Sequence, residues 1–151
     1  MADNLRTDGP SDHLSWAELA CHDKARTPYP TEWRKDRAPR IAQAFESVRS
    51  EYGGPINIGS GYRTPAHNRA VGGARFSQHV EGRALDLRPI PNTQAQRSRL
   101  LEAVERVVVN EPGLIMGVAP YPNFVHIDTR PGLRVARWNG KRAAADATRK
   151  A

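Results

Sequence analysis

Apolar residues return every three or four positions between Pro39 and Tyr52, at Ile41, Phe45, Val48 and Tyr52. That spacing puts them on one stripe of a helix, with Pro39 at its start and the pair Gly53–Gly54 as its stop. A second and stronger helical stripe runs through residues 93–109, carried by Leu100, Leu101, Val104 and Val108. Upstream, in LSWAELA, Ser15 stands three residues before Glu18, the reciprocal arrangement of a capping box, so a short helix is expected there. Three other segments alternate with period two. PINIGSGYR reads as a short strand entering a Gly-rich turn. GRALDLRPI places Ala84 and Asp86 on one face and Leu85 and Leu87 on the other. NFVHIDT places Phe124, His126 and Asp128 on one face and Val125 and Ile127 on the other. RTPYPTEW is a Pro-rich connector, and GKRAAADATRKA lacks apolar anchors, as a frayed helix or mobile tail would. The order helix, helix, strand, strand, helix, strand predicts a small α+β domain, with an antiparallel sheet covered on one side by helices. We expect that domain over residues 1–138, followed by a basic, Ala-rich tail at 139–151.

Length agrees with this picture: 151 residues suit one compact domain and are too few for two ordinary ones. Apolar stretches fall far short of the about 20 residues of a membrane span, so no span is expected. MADNLRTDGPSDHLSW has no apolar segment of the secretory kind, so synthesis in the cytoplasm is expected, with another exit needed for work outside the cell. The lone Cys21 excludes an intrachain disulfide and a thiolate zinc cluster. A Cys21–His22 nucleophile is thinkable, but adjacent helical residues point about 100° apart, which favours a packed core thiol. The net charge of +7 favours an anionic partner, nucleic acid or bacterial wall polymer, with a solvated basic surface as the alternative. The basic residues are scattered, at Arg34, Lys35, Arg37, Arg40, then Arg97, Arg99, Arg106 and the tail, without interleaved aromatics. That scatter argues against nucleic acid.

Chemistry concentrates where two strands carry polar groups at core positions. Asp86 lies on one, His126 on the other, and His79 sits in the turn leading to the first. Two imidazoles and one carboxylate are an open ligand set for catalytic zinc, with the fourth position left to water. The metal would offset the cost of burying Asp86; a buried His–Asp pair serving only structure is the other reading of the same residues.

The wording around these residues, SGYRTPAHNRAVGGARFSQHVEGRALDL and later GVAPYPNFVHIDTR, closely resembles the zinc D-Ala-D-Ala carboxypeptidases, peptidase family M15, of the Hedgehog/DD-peptidase fold. Ser77, His79, Gly82, Ala84 and Asp86 fill the family's Ser-x-His-x-x-Gly-x-Ala-x-Asp segment, and His126 its later histidine. The likeness covers residues 58–88 and 117–138, with LSWAELACHD similar to the family's opening. It implies one Zn²⁺ per chain, held by His79, Asp86 and His126. It also implies a catalytic and substrate-binding role for Arg63, whose guanidinium would stabilise an oxyanion; a salt bridge buttressing the turn is its alternative. Ser77 and Gln78 would orient substrate or the ligands, or serve as turn chemistry. Gly72 and Gly73 would permit backbone geometry near the cleft, and His67 would be a structural or rim residue, since a third histidine would close the open position.

One departure stands out. Many relatives carry an acidic general base three residues before the last histidine, where this chain has Asn123. Asp128, two residues along the strand from His126, is then the acidic residue expected to serve as base near the metal, close enough to hold a water or orient a ligand, unless it pairs with Arg130 or Arg134; Glu81 is a weaker candidate. The function implied is hydrolysis of peptide bonds in peptidoglycan peptide stems; the small basic body and the lack of a secretory segment suggest a bacteriophage lysis enzyme or virion-associated wall hydrolase rather than a bacterial cytosolic product. It would reach the wall after lysis or holin release, or as a virion component beside other virion or lysis proteins. The alternative is a catalytically weakened, zinc-stabilised module that docks on wall or virion partners.

Overall fold

The computed structural model describes residues 8–140; the tail beyond Gly140 lies outside them. α1 (Trp16–Leu19) opens with the capping box: Ser15 Oγ accepts from the Glu18 N–H at 3.0 Å, and Glu18 Oε1 accepts from the Ser15 N–H at 2.9 Å. The Pro-rich connector contains a 3₁₀ turn at Thr31–Trp33 and is anchored by buried Tyr29, whose ring packs among Trp16, Trp33 and Tyr62. Cys21 is a fully buried free thiol, a core residue.

α2 (Arg37–Tyr52) starts two residues before the predicted Pro39. Asp36 caps it, and Pro39 falls within the first turn, where a missing N–H removes no helical hydrogen bond. It stops at Gly53, whose φ of 77° is left-handed backbone that glycine adopts freely. α4 (Gln94–Asn110) is capped by Thr93 Oγ1, which accepts from the Gln96 N–H at 3.1 Å. Its buried stripe is Leu100, Ala103, Val104 and Val107, an i, i+3, i+4, i+7 set, while Leu101 and Val108 flank it partly buried. The predicted stripe is therefore rotated: Ala103, easily discounted as weakly apolar, is a core position.

Five strands form one sheet: β1 (Ile56–Ser60), β2 (Ala84–Pro89), β3 (Gly117–Pro120), β4 (Val125–Asp128) and β5 (Ala136–Arg137), in the order β1-β2-β4-β3-β5. The first four pair antiparallel, as predicted, but β5 joins β3 in parallel, so the sheet is mixed. The apolar pattern does not announce β3, β5 or the six-residue α3 (Pro65–Ala70), because such short elements hold too few positions for a period to register. α4 packs across β2, β3 and β4 and α2 packs against α4, so helices cover one face of the sheet. Leu85, Leu87, Val125 and Ile127 join Leu100, Val104 and Val107 in that core. Each fully buried side chain of this size contributes roughly 1.5–3 kcal/mol. Among the described residues, no helix is long and apolar enough to cross a membrane.

Candidate metal centre in a basic cleft

On the other face of the sheet, the β2–β4 register sets Asp86 directly opposite His126. His79 arrives from the turn before β2 and is held at two points. Ser77 Oγ accepts from its backbone N–H at 3.1 Å, and its Nδ1 lies 2.7 Å from the Gly61 carbonyl oxygen. A carbonyl only accepts, so Nδ1 carries the proton and Nε2 presents its lone pair toward Asp86. The turn depends on Gly82: its φ is 69°, and a Cβ there would stand 2.6 Å from the Trp33 ring. Tyr29 fastens the same turn by donating its hydroxyl to the Gly82 carbonyl at 2.7 Å.

His79 Nε2 and His126 Nδ1 each lie 3.1 Å from Asp86 Oδ1. One donor atom from each of the three residues falls within 4.8 Å of the others, and all three side chains are buried. A buried carboxylate facing two imidazoles is a donor set that could hold a metal ion. Electrostatics follow from that crowding. Burial pushes the Asp86 carboxyl up, but the imidazoles of His79 and His126 beside it hold it well below the usual carboxylate range. Burial, then the Arg63 charge, lowers His79 and keeps it neutral. Burial also disfavours charge on His126, yet hydrogen bonds to Asp128 and Asp86 outweigh it and raise its pKa to about 9 in the metal-free chain.

Asp128 sits where the strand pattern puts it, on the face of His126, but its carboxylate is fully buried and already engaged. His126 Nε2 lies 2.7 Å from Oδ2, while Arg130 donates from Nη2 to Oδ2 at 2.7 Å and from Nε to Oδ1 at 2.9 Å. The Arg130 backbone N–H also donates to Oδ1, at 3.1 Å. Asp128 does not line the cleft. Its carboxylate is therefore set behind the His126 ring, with both oxygens engaged by His126 and Arg130. Arg130, not Arg134, is its arginine partner. Gly117 on β3 is part of the arrangement, because a Cβ there would collide with the Asp128 carboxylate.

Arg63 both braces the turn and faces the cleft. Its Nε donates to Ser60 Oγ at 3.1 Å and its Nη1 to Asn68 Oδ1 at 3.1 Å, so it buttresses the turn. Its Nη2 stands 3.4 Å from Asp86 Oδ2, and the guanidinium lines the cleft. Asn68 is buried and tied to the Ala74 carbonyl, and Gly73 must be glycine because a Cβ would strike Asn68. Gly72 takes a φ of 73°.

The cleft over these groups has a volume of about 580 Å³. Ser77, Gln78 and His67 line it, and the Gln78 side-chain oxygen is buried without a protein partner. A wall of Tyr121, Phe124 and Trp138 stands beside His126: Tyr121 and Phe124 stack at 4.5 Å, and the Trp138 ring lies 5.2 Å from the imidazole. Asp86 is the one carboxylate among the lining residues. Glu81 points elsewhere, paired with Arg37 at 3.3 Å, and Asn123 is exposed in the β3–β4 turn, away from the cleft. Asn68, Gly117, Tyr121 and Trp138 escape a reading of the sequence, since each acts through a neighbour distant in the chain.

The family model of Peptidase M15 matches residues 12–128, most of the chain. The chain is a member of the peptidase M15 family. No curated protein sequence matches it. Within this M15 peptidase the matched region contains Arg63, His79, Asp86 and His126 and ends at Asp128; Arg130 and Trp138, which complete the surroundings of His126, lie just beyond it.

Proposed function

We propose that this M15 peptidase is a zinc-dependent enzyme that hydrolyses peptide bonds in the peptide stems of bacterial peptidoglycan, for phage lysis or wall penetration. The observation that carries the reading is the convergence of buried His79, Asp86 and His126 at the floor of an open cleft, with Arg63 beside them. His79 through Nε2, His126 through Nδ1 and the Asp86 carboxylate would hold one Zn²⁺, a metal suited to two imidazoles and a carboxylate. When bound, the ion supplies Lewis acidity that polarises a peptide carbonyl and acidifies water. Arg63, fixed by Ser60 and Asn68, offers a preorganised cation to negative charge developing on the carbonyl oxygen. Asp128 keeps His126 in the tautomer whose Nδ1 faces the site. The cleft's arginines suit acidic stem peptides, and the net charge of +7 suits an anionic wall.

A second reading is favoured by one observation: among the described residues no free carboxylate faces the candidate centre, since Asp86 belongs to it and Asp128 is sealed behind His126. The protein would then be a zinc-stabilised module that docks on wall or virion partners. Digestion of purified peptidoglycan, with masses of the released fragments, separates the two. Chelator-sensitive release of new muropeptides supports the peptidase, whereas metal-loaded protein that binds the wall and releases nothing supports the docking module. Within the peptidase reading, Arg63→Lys should retain fold and metal and lose most turnover, because lysine lacks the planar fork. Turnover within about twofold of the parent would remove Arg63 from the chemistry.

A further inference from the structure

Arg88 follows Asp86 by two positions on β2 and lines the same cleft, but lies outside the candidate ligand set. Its path is prepared by the neighbouring strand. The β1–β2 register slips between Ile58 and Ser60, leaving Gly59 as the extra residue of a β-bulge. A Cβ at Gly59 would stand 2.8 Å from Arg88 Nε, so the missing side chain is what allows the Arg88 stem to lie across β1. No hydrogen bond or ion pair joins the Arg88 guanidinium to any described residue; it is exposed, with its donors free. His22 and His67 line the same flank. Partial burial, then the charges of Arg26, His67, Arg88 and Arg63, hold the His22 imidazole below its ordinary value, a mark of crowded positive charge without a counter-ion. Asp23, which feels the His67 charge, is committed to Thr27 through both oxygens, at 2.8 and 2.6 Å.

We propose that Arg88, with His22 and His67, forms an anion subsite that takes a carboxylate of the bound peptide. Two strand residues from Asp86 to Arg88 span about 7 Å, so the carboxylate belongs within about two residues of the scissile bond. It is either the C-terminal carboxylate of the substrate or an acidic side chain next to the cleaved bond. This inference rests on the peptidase reading for its substrate, and on Arg88, Gly59 and the two histidines for the site itself.

Three probes test it: N-acetyl-D-Ala-D-Ala as the free acid, the same peptide as its C-terminal amide, and N-acetyl-D-Ala-D-Glu as its α-amide. Binding to the full-length chain is measured by calorimetry and by the His22 and His67 ring resonances, with Zn²⁺ and in parallel with chelator. A carboxylate probe should bind about tenfold more tightly than the neutral amide in both states, through charge-assisted hydrogen bonds to the guanidinium. Whichever acid shows the preference identifies its source. Arg88→Gln should bring the preference to within about twofold, and Gly59→Ala, which keeps the charge but displaces the side chain, should weaken it part-way. Equal binding of all three probes by the parent, or an undiminished preference in Arg88→Gln, overturns the subsite. Hydrolysis without an acid preference removes the subsite and leaves the peptidase; an acid preference without hydrolysis does the reverse.

Discussion

Leu85, Leu87, Val125 and Ile127 leave β2 and β4 toward the helices, while Asp86 and His126 leave the same two strands toward the cleft. Both sets are buried, so the faces differ in what makes burial tolerable. On the helix face, stabilisation scales with apolar area removed from water and names no particular partner. On the cleft face, each buried polar atom needs a specific one. Asp86 Oδ1 meets two imidazoles and Oδ2 meets Arg63, while Asp128 meets His126 and Arg130. Leaving one partner of such a pair unmatched costs far more than the pair contributes. The helix face should therefore accept substitution by volume, and the cleft face should accept almost none.

The sharpest way to break that contrast is His126→Ala, which should abolish stoichiometric metal binding, read as metal per folded chain by mass spectrometry; a variant that still holds one tightly bound ion defeats the ligand assignment. Next comes Leu87→Ala on the opposite face of β2. A fully buried leucine truncated there should cost about 2–5 kcal/mol in urea unfolding, yet leave one metal per folded chain. Asp128→Asn ranks third: weakening the orientation of His126 should lower metal affinity about 10–100-fold in a competition titration against a chelating dye, with fold retained. A loss of kcat at unchanged metal affinity would return Asp128 to the chemistry itself.

Fourth is a dependence on pH. The pKa of His126 in the metal-free chain stands at about 9, above its ordinary 6.5, so the stability this group contributes is full below pH 6.5 and lost as pH rises toward 9. Asp86 is depressed, so its contribution is present above its ordinary 3.8 and lost as pH falls below that value. His79, whose pKa is lowered, acts in the opposite sense and costs stability as pH falls below its ordinary 6.5, so thermal midpoints in chelator should peak near pH 6.5. The alkaline decline should vanish with metal bound, because a ligated imidazole is already neutral. Calorimetry in buffers of different ionisation enthalpy should also detect a proton released when metal binds near pH 7. A flat alkaline limb without metal would show that His126 does not hold the proton. Smallest of all is Leu87→Met, which should cost less than about 1.5 kcal/mol and leave metal affinity unchanged.

Local features were legible because their causes are local. The Ser15–Glu18 box, the Gly53 stop and the alternation of Leu85, Asp86 and Leu87 each depend on neighbours within a few residues. The motif around His79 and Asp86 pointed to metal chemistry because those residue types are rarely buried without a partner. What the sequence left open depends on contacts between distant segments. Asp128 reads as a free acid beside His126 until Arg130 and the bare backbone of Gly117 are seen to enclose it. Asn123 reads as a vacated base until the β3–β4 turn carries it out to solvent. The parallel β5, the aromatic wall around Trp138 and the bulge that frees Arg88 were likewise decided only in three dimensions. Spacing along a strand determines which side of the sheet a residue faces; which partner then occupies its lone pairs is set by the strands and turns that pack against it.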